Sequence, residues 1–169
     1  MLARSLALIL AIPLLILLTS CASVNTCVEG LTRSNFRVML TKGACFGACP
    51  VYDGTIYGDG TVEYIGRMHT QHEGQWSGTV DATTLCTLKR LIEENSVMTM
   101  KENHVNTDVQ DAPMRTLTIE MEGQKRVIRW NLGMPEQVRD IEVLMVRYTH
   151  EAASSATSQP QGTETQSPR

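Results

Sequence analysis

Two cysteines with three residues between them, in Cys45-Phe46-Gly47-Ala48-Cys49-Pro50-Val51-Tyr52, restrict this chain more than any other feature. A cystine closed across that spacing makes a small ring around the mobile Gly47, and Pro50 fixes the backbone as the chain leaves it. The segment that follows predicts a hairpin. Asp59-Gly60 lies between residues 51–57 and 61–67, both rich in β-branched and aromatic side chains, and Gly at the second central position supplies the positive φ of a type I′ turn. Tyr52, Gly54 and Ile56 share one face of the first arm, Val62 and Tyr64 line the second, and Tyr57 falls on the opposite face.

The run Cys-Phe-Gly-Ala-Cys-Pro-Val-Tyr, followed by Thr-Ile-Tyr-Gly-Asp-Gly-Thr-Val, resembles the signature of the DUF6438 family of small bacterial envelope domains. The resemblance continues through Gly66, the amphipathic stretch after Asp81, and Asp111-Ala112-Pro113, and it covers about residues 34–148. It implies an envelope location and no particular chemistry, because the activity of that family is uncharacterised.

Residues 1–20 carry one charge, Arg4, and then an apolar run from Leu6 to Leu18 broken only by Pro13. That pattern is an export signal and is short for a stable membrane span. It ends in Leu18-Thr19-Ser20-Cys21, which resembles the lipobox of bacterial lipoproteins. By that resemblance Cys21 becomes the lipidated N-terminus, and its two or three acyl chains anchor the protein firmly. The competing reading is an ordinary secretory signal with a cysteine nearby. Ala22 and Ser23 follow, without the Asp that resembles an inner-membrane retention signal, so the expected location is the periplasmic side of the outer membrane, lipid-anchored.

Export governs the remaining four cysteines, Cys27, Cys45, Cys49 and Cys86. An even count in an oxidising compartment favours disulfides, and three connectivities are open. The short spacing around Gly47 favours Cys45 with Cys49, which leaves Cys27 for Cys86. In the loop-entropy model the small ring contributes roughly 2 kcal/mol and the long link roughly 4 kcal/mol. Cys86 sits about 100° round from Leu85 on a predicted helix, at the edge of its buried stripe; a free, half-buried Cys86 is the alternative.

The rest of the chain reads as scaffold. Phe36, Val38 and Leu40 alternate in a first strand, and residues 71–80 add a further strand through Trp76. Leu117, Ile119 and Met121 alternate before Gly123 turns the chain into residues 125–130, a second hairpin. Asp81 caps a helix over residues 81–95 whose stripe is Leu85, Leu88 and Ile92; Pro135 opens another marked by Val138, Ile141, Met145 and Tyr148. The expected fold is α+β, an antiparallel sheet of about five strands with two helices on one face. The expected divisions are a signal at 1–20, a linker at 21–33, the domain at 34–150, and a disordered Ser/Thr/Gln/Pro tail at 151–169.

For chemistry, Cys45 and Cys49 could form a redox pair, but a reactive thiol needs a helix N-terminus or a cation to ionise, and Lys42 is the only cation close in sequence. His69 and His72 lack a third ligand nearby, so no metal is expected. No fingerprint for a cofactor, phosphate or hydrolase nucleophile occurs, and no cofactor is expected. The net charge of −3, with no basic cluster, argues against nucleic acid. Asp111 reads first as turn chemistry and second as an acidic binding contact; the aromatics, Trp130 among them, read first as core in a chain with only two Phe and second as binding residues, with Tyr57 the main exception. The sequence therefore predicts a lipid-anchored, non-catalytic module that binds an envelope protein or glycan through its sheet. A thiol-disulfide protein using Cys45 and Cys49 is the alternative.

Overall fold

A computed structural model describes residues 27–109 and 111–157. The predicted signal, the lipobox Cys21 and residues 158–169 lie outside the described residues. Strand β1 (Phe36–Lys42) buries Phe36, Val38 and Leu40 and turns Arg37 and Met39 outward. It pairs antiparallel with β2 (Val51–Tyr57), and β2 pairs with β3 (Thr61–Met68) and β3 with β4 (Gly74–Thr79) in the same sense. On the other side of β1 lies β6 (Arg115–Met121), then β7 (Gln124–Trp130), again antiparallel. A two-residue strand, β5 (Asn103–His104), closes the sheet by pairing parallel to β7. The order is β4-β3-β2-β1-β6-β7-β5.

The sheet therefore has seven strands and is mixed, rather than five and wholly antiparallel. The added strand has no local signal. It is held by contacts distant in sequence, where Arg129 N–H donates to the Glu102 carbonyl at 2.8 Å and the Arg126 guanidinium reaches the Met98 carbonyl, also at 2.8 Å.

The turn between β2 and β3 departs from the expected type I′ chemistry. At Gly58-Asp59-Gly60 only Gly60 has positive φ, 84°. Gly60 N–H donates to the Tyr57 carbonyl at 3.0 Å and Asp59 Oδ1 accepts from Thr61 N–H at 2.9 Å. This is a three-residue loop built on a type I turn with one left-handed residue. The two-residue type I′ geometry occurs instead at Glu122-Gly123, with φ of 53° and 76°.

Helix α1 (Ala82–Glu94) starts where Asp81 accepts from Thr84 N–H at 2.8 Å, and it buries Leu85, Leu88 and Ile92. After a short 3-10 turn following Pro135, helix α2 (Arg139–Thr157) buries Ile141, Met145, Thr149, Ala152 and Ala153. The helices join Phe36, Val38, Leu40, Leu117, Ile119 and Trp130 in one core. Close approach of α2 requires small residues beneath it. A Cβ on Gly54 would fall 2.6 Å from Thr149 Cγ2, and one on Gly78 would fall 2.8 Å from Ala152 Cβ.

Two predicted boundaries move. Helix α2 continues through residues 151–157, which were expected to open the tail, because Ala152 and Ala153 are small enough to seat against the sheet and extend its buried stripe. Residues 27–33 also belong to the folded body: Val28 and Leu31 pack against the core, and Asn35 pins this strap by accepting from Thr32 N–H and donating to the Gly30 carbonyl, both at 2.7 Å.

Candidate functional site

The molecule has two ends, defined by the direction of β1. At its Phe36 end lie the entering strap, the β2–β3 turn and the start of α1. There Phe36 N–H donates to the Thr32 carbonyl, Gly58 N–H to the Phe36 carbonyl and Val80 N–H to the Gly60 carbonyl. Cys27 is bonded to Cys86 of α1, with Cα atoms 5.7 Å apart.

At the Lys42 end the chain runs through the second disulfide, Cys45–Cys49, also with a Cα separation of 5.7 Å. Gly47 N–H donates to the Cys45 carbonyl at 2.9 Å within the ring. Phe46 is 91% exposed at its tip. Phe46 has no counterpart among the residues that the sequence nominated for binding. Its signal was present, since a large side chain inside a ring this small has no room to fold back on the core. Met68 is paired with Val51 at the base of the ring, Met114 bonds Gly43 N–H through its carbonyl at 2.8 Å, and Leu132 follows the end of β7; all three are exposed.

Cys49 leads through Pro50 into strand β2, not into a helix N-terminus. Lys42 has the same strand parity as Phe36, Val38 and Leu40 and pairs with Tyr52, so its charge belongs to the helical face of the sheet. There it acts on His150, whose pKa is lowered from the ordinary value by burial first, then by His72 and Lys42. His150 packs on Tyr52 and Tyr64 at ring separations of 5.0 and 5.1 Å, and the two tyrosines are 5.4 Å apart. Burial, aided by Glu142 and Tyr64, pushes the Tyr52 phenol up to about 12. His72 stands against Trp76 at 6.3 Å. This aromatic cluster could not be read from the sequence, because His150 enters it only once α2 is known to cross the sheet.

The nominated binding residues do not converge. Trp130 is fully buried in the core, with its indole N–H making no hydrogen bond among the described residues, and its place on the inward face of β7 keeps it from a partner. Tyr57 faces outward, as its register predicts, but the Arg33 guanidinium lies 3.8 Å over its ring and its hydroxyl donates to Glu63 Oε2 at 2.9 Å. Burial and that hydrogen bond both raise the Tyr57 pKa. Burial alone would raise Glu63, but hydrogen bonds from Arg33 and Tyr57 outweigh it and hold the carboxylate below its ordinary range. Asp111 is exposed in the bend before β6. These three positions are distributed over the core, the outer face and a loop, and they make no common site.

The outer face of the sheet is polar. Arg37 reaches Glu120 at 2.7 Å, Lys125 reaches the same carboxylate at 3.3 Å, and Arg67 pairs with Asp53. Among the described residues, no group of three or more His, Cys, Asp or Glu side chains could hold a metal ion. No described helix is long and apolar enough to cross a membrane.

These features define a class: a two-layer α+β domain braced by a cystine at each end of its sheet, with an exposed aromatic side chain on one of them. Residues 36–149 match the family model described as "Domain of unknown function (DUF6438)", and the chain belongs to that family. No curated protein matches it.

Proposed function

We propose that this chain is a lipid-anchored module of a bacterial envelope, held by acyl chains on Cys21 at the periplasmic side of the outer membrane. Its role is to bind another envelope component, without catalysing a reaction. The observation that carries the reading is the placement of the two cystines. Cys27 follows Cys21 by only six residues and is fastened to α1, so a tether from Cys21 would hold a rigid body rather than a loose one. The Cys45–Cys49 ring supports an exposed apolar tip at the opposite end.

A thiol-disulfide reading requires an attacking thiolate stabilised by a helix dipole or an adjacent cation. The entry of Cys49 into a strand and the direction of Lys42 toward His150 favour a structural ring.

The anchoring is tested by metabolic labelling of the full chain with an alkyne-bearing palmitate, followed by membrane fractionation. The wild type is expected to be labelled and to sediment with membranes, and Cys21→Ser to be unlabelled and soluble. An unlabelled, soluble wild type contradicts the reading.

A further inference from the structure

We propose that this chain forms a symmetric dimer by antiparallel pairing of strand β4 with β4 of a second copy, which joins the two sheets into one. The two edges of the sheet differ. Strand β5 ends one edge with two residues, whereas β4 ends the other with six, Gly74–Thr79, and no strand lies beyond it among the described residues. Short strands, prolines and charged side chains are the usual guards of an exposed edge. Residues 74–79 contain neither a proline nor a charge.

The direction of the free backbone groups follows from one bond. Val80 N–H donates to the Gly60 carbonyl of the β2–β3 turn at 2.9 Å. Hydrogen-bonded residues alternate along an antiparallel pair, so Gly78, Trp76 and Gly74 direct their N–H and C=O groups toward β3. Gln75, Ser77 and Thr79 direct theirs outward, and all three residues are exposed. Such a row of alternating donors and acceptors is matched by the backbone of another extended strand. Acyl chains have no donors or acceptors to offer it, and the hydroxyls of a glycan lack its fixed repeat.

Self-complementarity selects a second copy among polypeptides. A twofold axis through Ser77 pairs Ser77 with itself and Gln75 with Thr79 of the second copy, so each outward N–H and C=O of these three residues finds a partner. The same register sets Trp76 opposite Gly78 of the second copy, in the closer, non-hydrogen-bonded kind of pair. Gly78 has no side chain to meet the indole. Beside it a recess of about 290 Å³ opens between β4 and α2, lined by Thr79, Tyr148, Ala152 and Ser155, on the face where Trp76 packs against Tyr64 and Ala153. Like charges on β4 would oppose one another across such an axis, and the strand has none. The flanking acids stand outside the paired stretch: Glu73 precedes Gly74, whose φ of 102° ends the extended run, and Asp81 is engaged by Thr84 N–H as the α1 cap. Glu151, at the recess, is paired with Arg147 at 3.0 Å. The pairing does not depend on the Cys21 anchor.

The test is the mass of the purified full chain in density-matched detergent, read by sedimentation equilibrium over a concentration series. The wild type is expected to be a dimer that dissociates in the micromolar range. Gln75→Lys/Thr79→Lys sets lysine opposite lysine in the proposed register and is expected to weaken the dimer at least about tenfold. Gln75→Lys/Thr79→Glu sets each lysine opposite a glutamate of the second copy and is expected to dimerise at least as tightly as the wild type. Both positions are exposed, so the two variants are expected to keep the wild-type circular dichroism spectrum. In host cells, Ser77→p-benzoylphenylalanine is expected to photocrosslink to a second copy, and Asn103→p-benzoylphenylalanine, at the other edge, to give no such adduct. A wild type still monomeric at about 100 μM, an equally tight Lys/Lys dimer, a Lys/Glu variant no tighter than Lys/Lys, or an adduct from position 77 with a different protein or with residues 158–169 of the same chain overturns the proposal. Fractionation reads the anchor separately: a soluble wild type that is still dimeric contradicts the tether and keeps the pairing.

Discussion

The two cystines brace opposite ends of one sheet and do different work. Cys27–Cys86 joins residues 59 apart and ties the entering strap to α1, where Val28 and Leu31 join the core. Cys45–Cys49 joins residues four apart, and the largest side chain it encloses is left in solvent. The first connects distant parts of the chain to stabilise the fold; the second makes a short loop rigid and adds little to the core. A covalent link of the same chemistry thus serves stability at one end and presentation at the other, according to what lies inside its loop.

Breaking the links separately should separate the two roles. Cys27→Ser/Cys86→Ser is expected to cost the most, roughly 4 kcal/mol in the loop-entropy model, read by urea unfolding of the oxidised protein. Cys45→Ser/Cys49→Ser should cost roughly 2 kcal/mol by the same assay. Equal losses from the two double variants would remove the distinction. Also at the strap end, Asp81→Ala deletes the α1 cap and should cost about 1 kcal/mol. Smallest of all, Phe46→Ala should change stability by less than about 0.5 kcal/mol, because its side chain is in solvent. A large loss there would mean that Phe46 packs on the body.

A pH titration sharpens the contrast from the helical face. His150 has its folded-state pKa lowered by burial, with His72 and Lys42 acting in the same direction and Tyr52 and Tyr64 packed around it. The unfolded chain therefore binds a proton there more readily than the folded one. Stability should fall as pH drops through the unfolded value of about 6.5, and His150→Gln should flatten that part of the profile. An unchanged slope in the variant would show that other groups cause it.

Much of the scaffold was legible because its signals are local. The alternation of Phe36, Val38 and Leu40, the Asp81 cap and the Leu85-Leu88-Ile92 stripe each specify an element through neighbours in sequence. The misreadings have long-range causes. Strand β5 depends on β7, and the last turns of α2 depend on space above Gly78. The Asp59-Gly60 turn was placed correctly but given the wrong class, since one glycine signal fits both two- and three-residue loops and Asp59 bonding Thr61 N–H accompanies the longer one. At the candidate site the ring itself was legible. Trp130 lies in the core, as the scarcity of Phe suggested, and only its second reading as a binding residue falls away; His150 was overlooked because its neighbours come from β2 and β3.

The most direct test of a structural, presenting ring is the reduction potential of the Cys45–Cys49 couple in the purified full chain, with peptide mapping to assign each pair. The account predicts a value below about −300 mV, beyond the reach of a glutathione pool. A value near −120 to −200 mV, typical of oxidoreductases, together with one readily alkylated thiol of depressed pKa, would contradict it and make the ring a reactive centre.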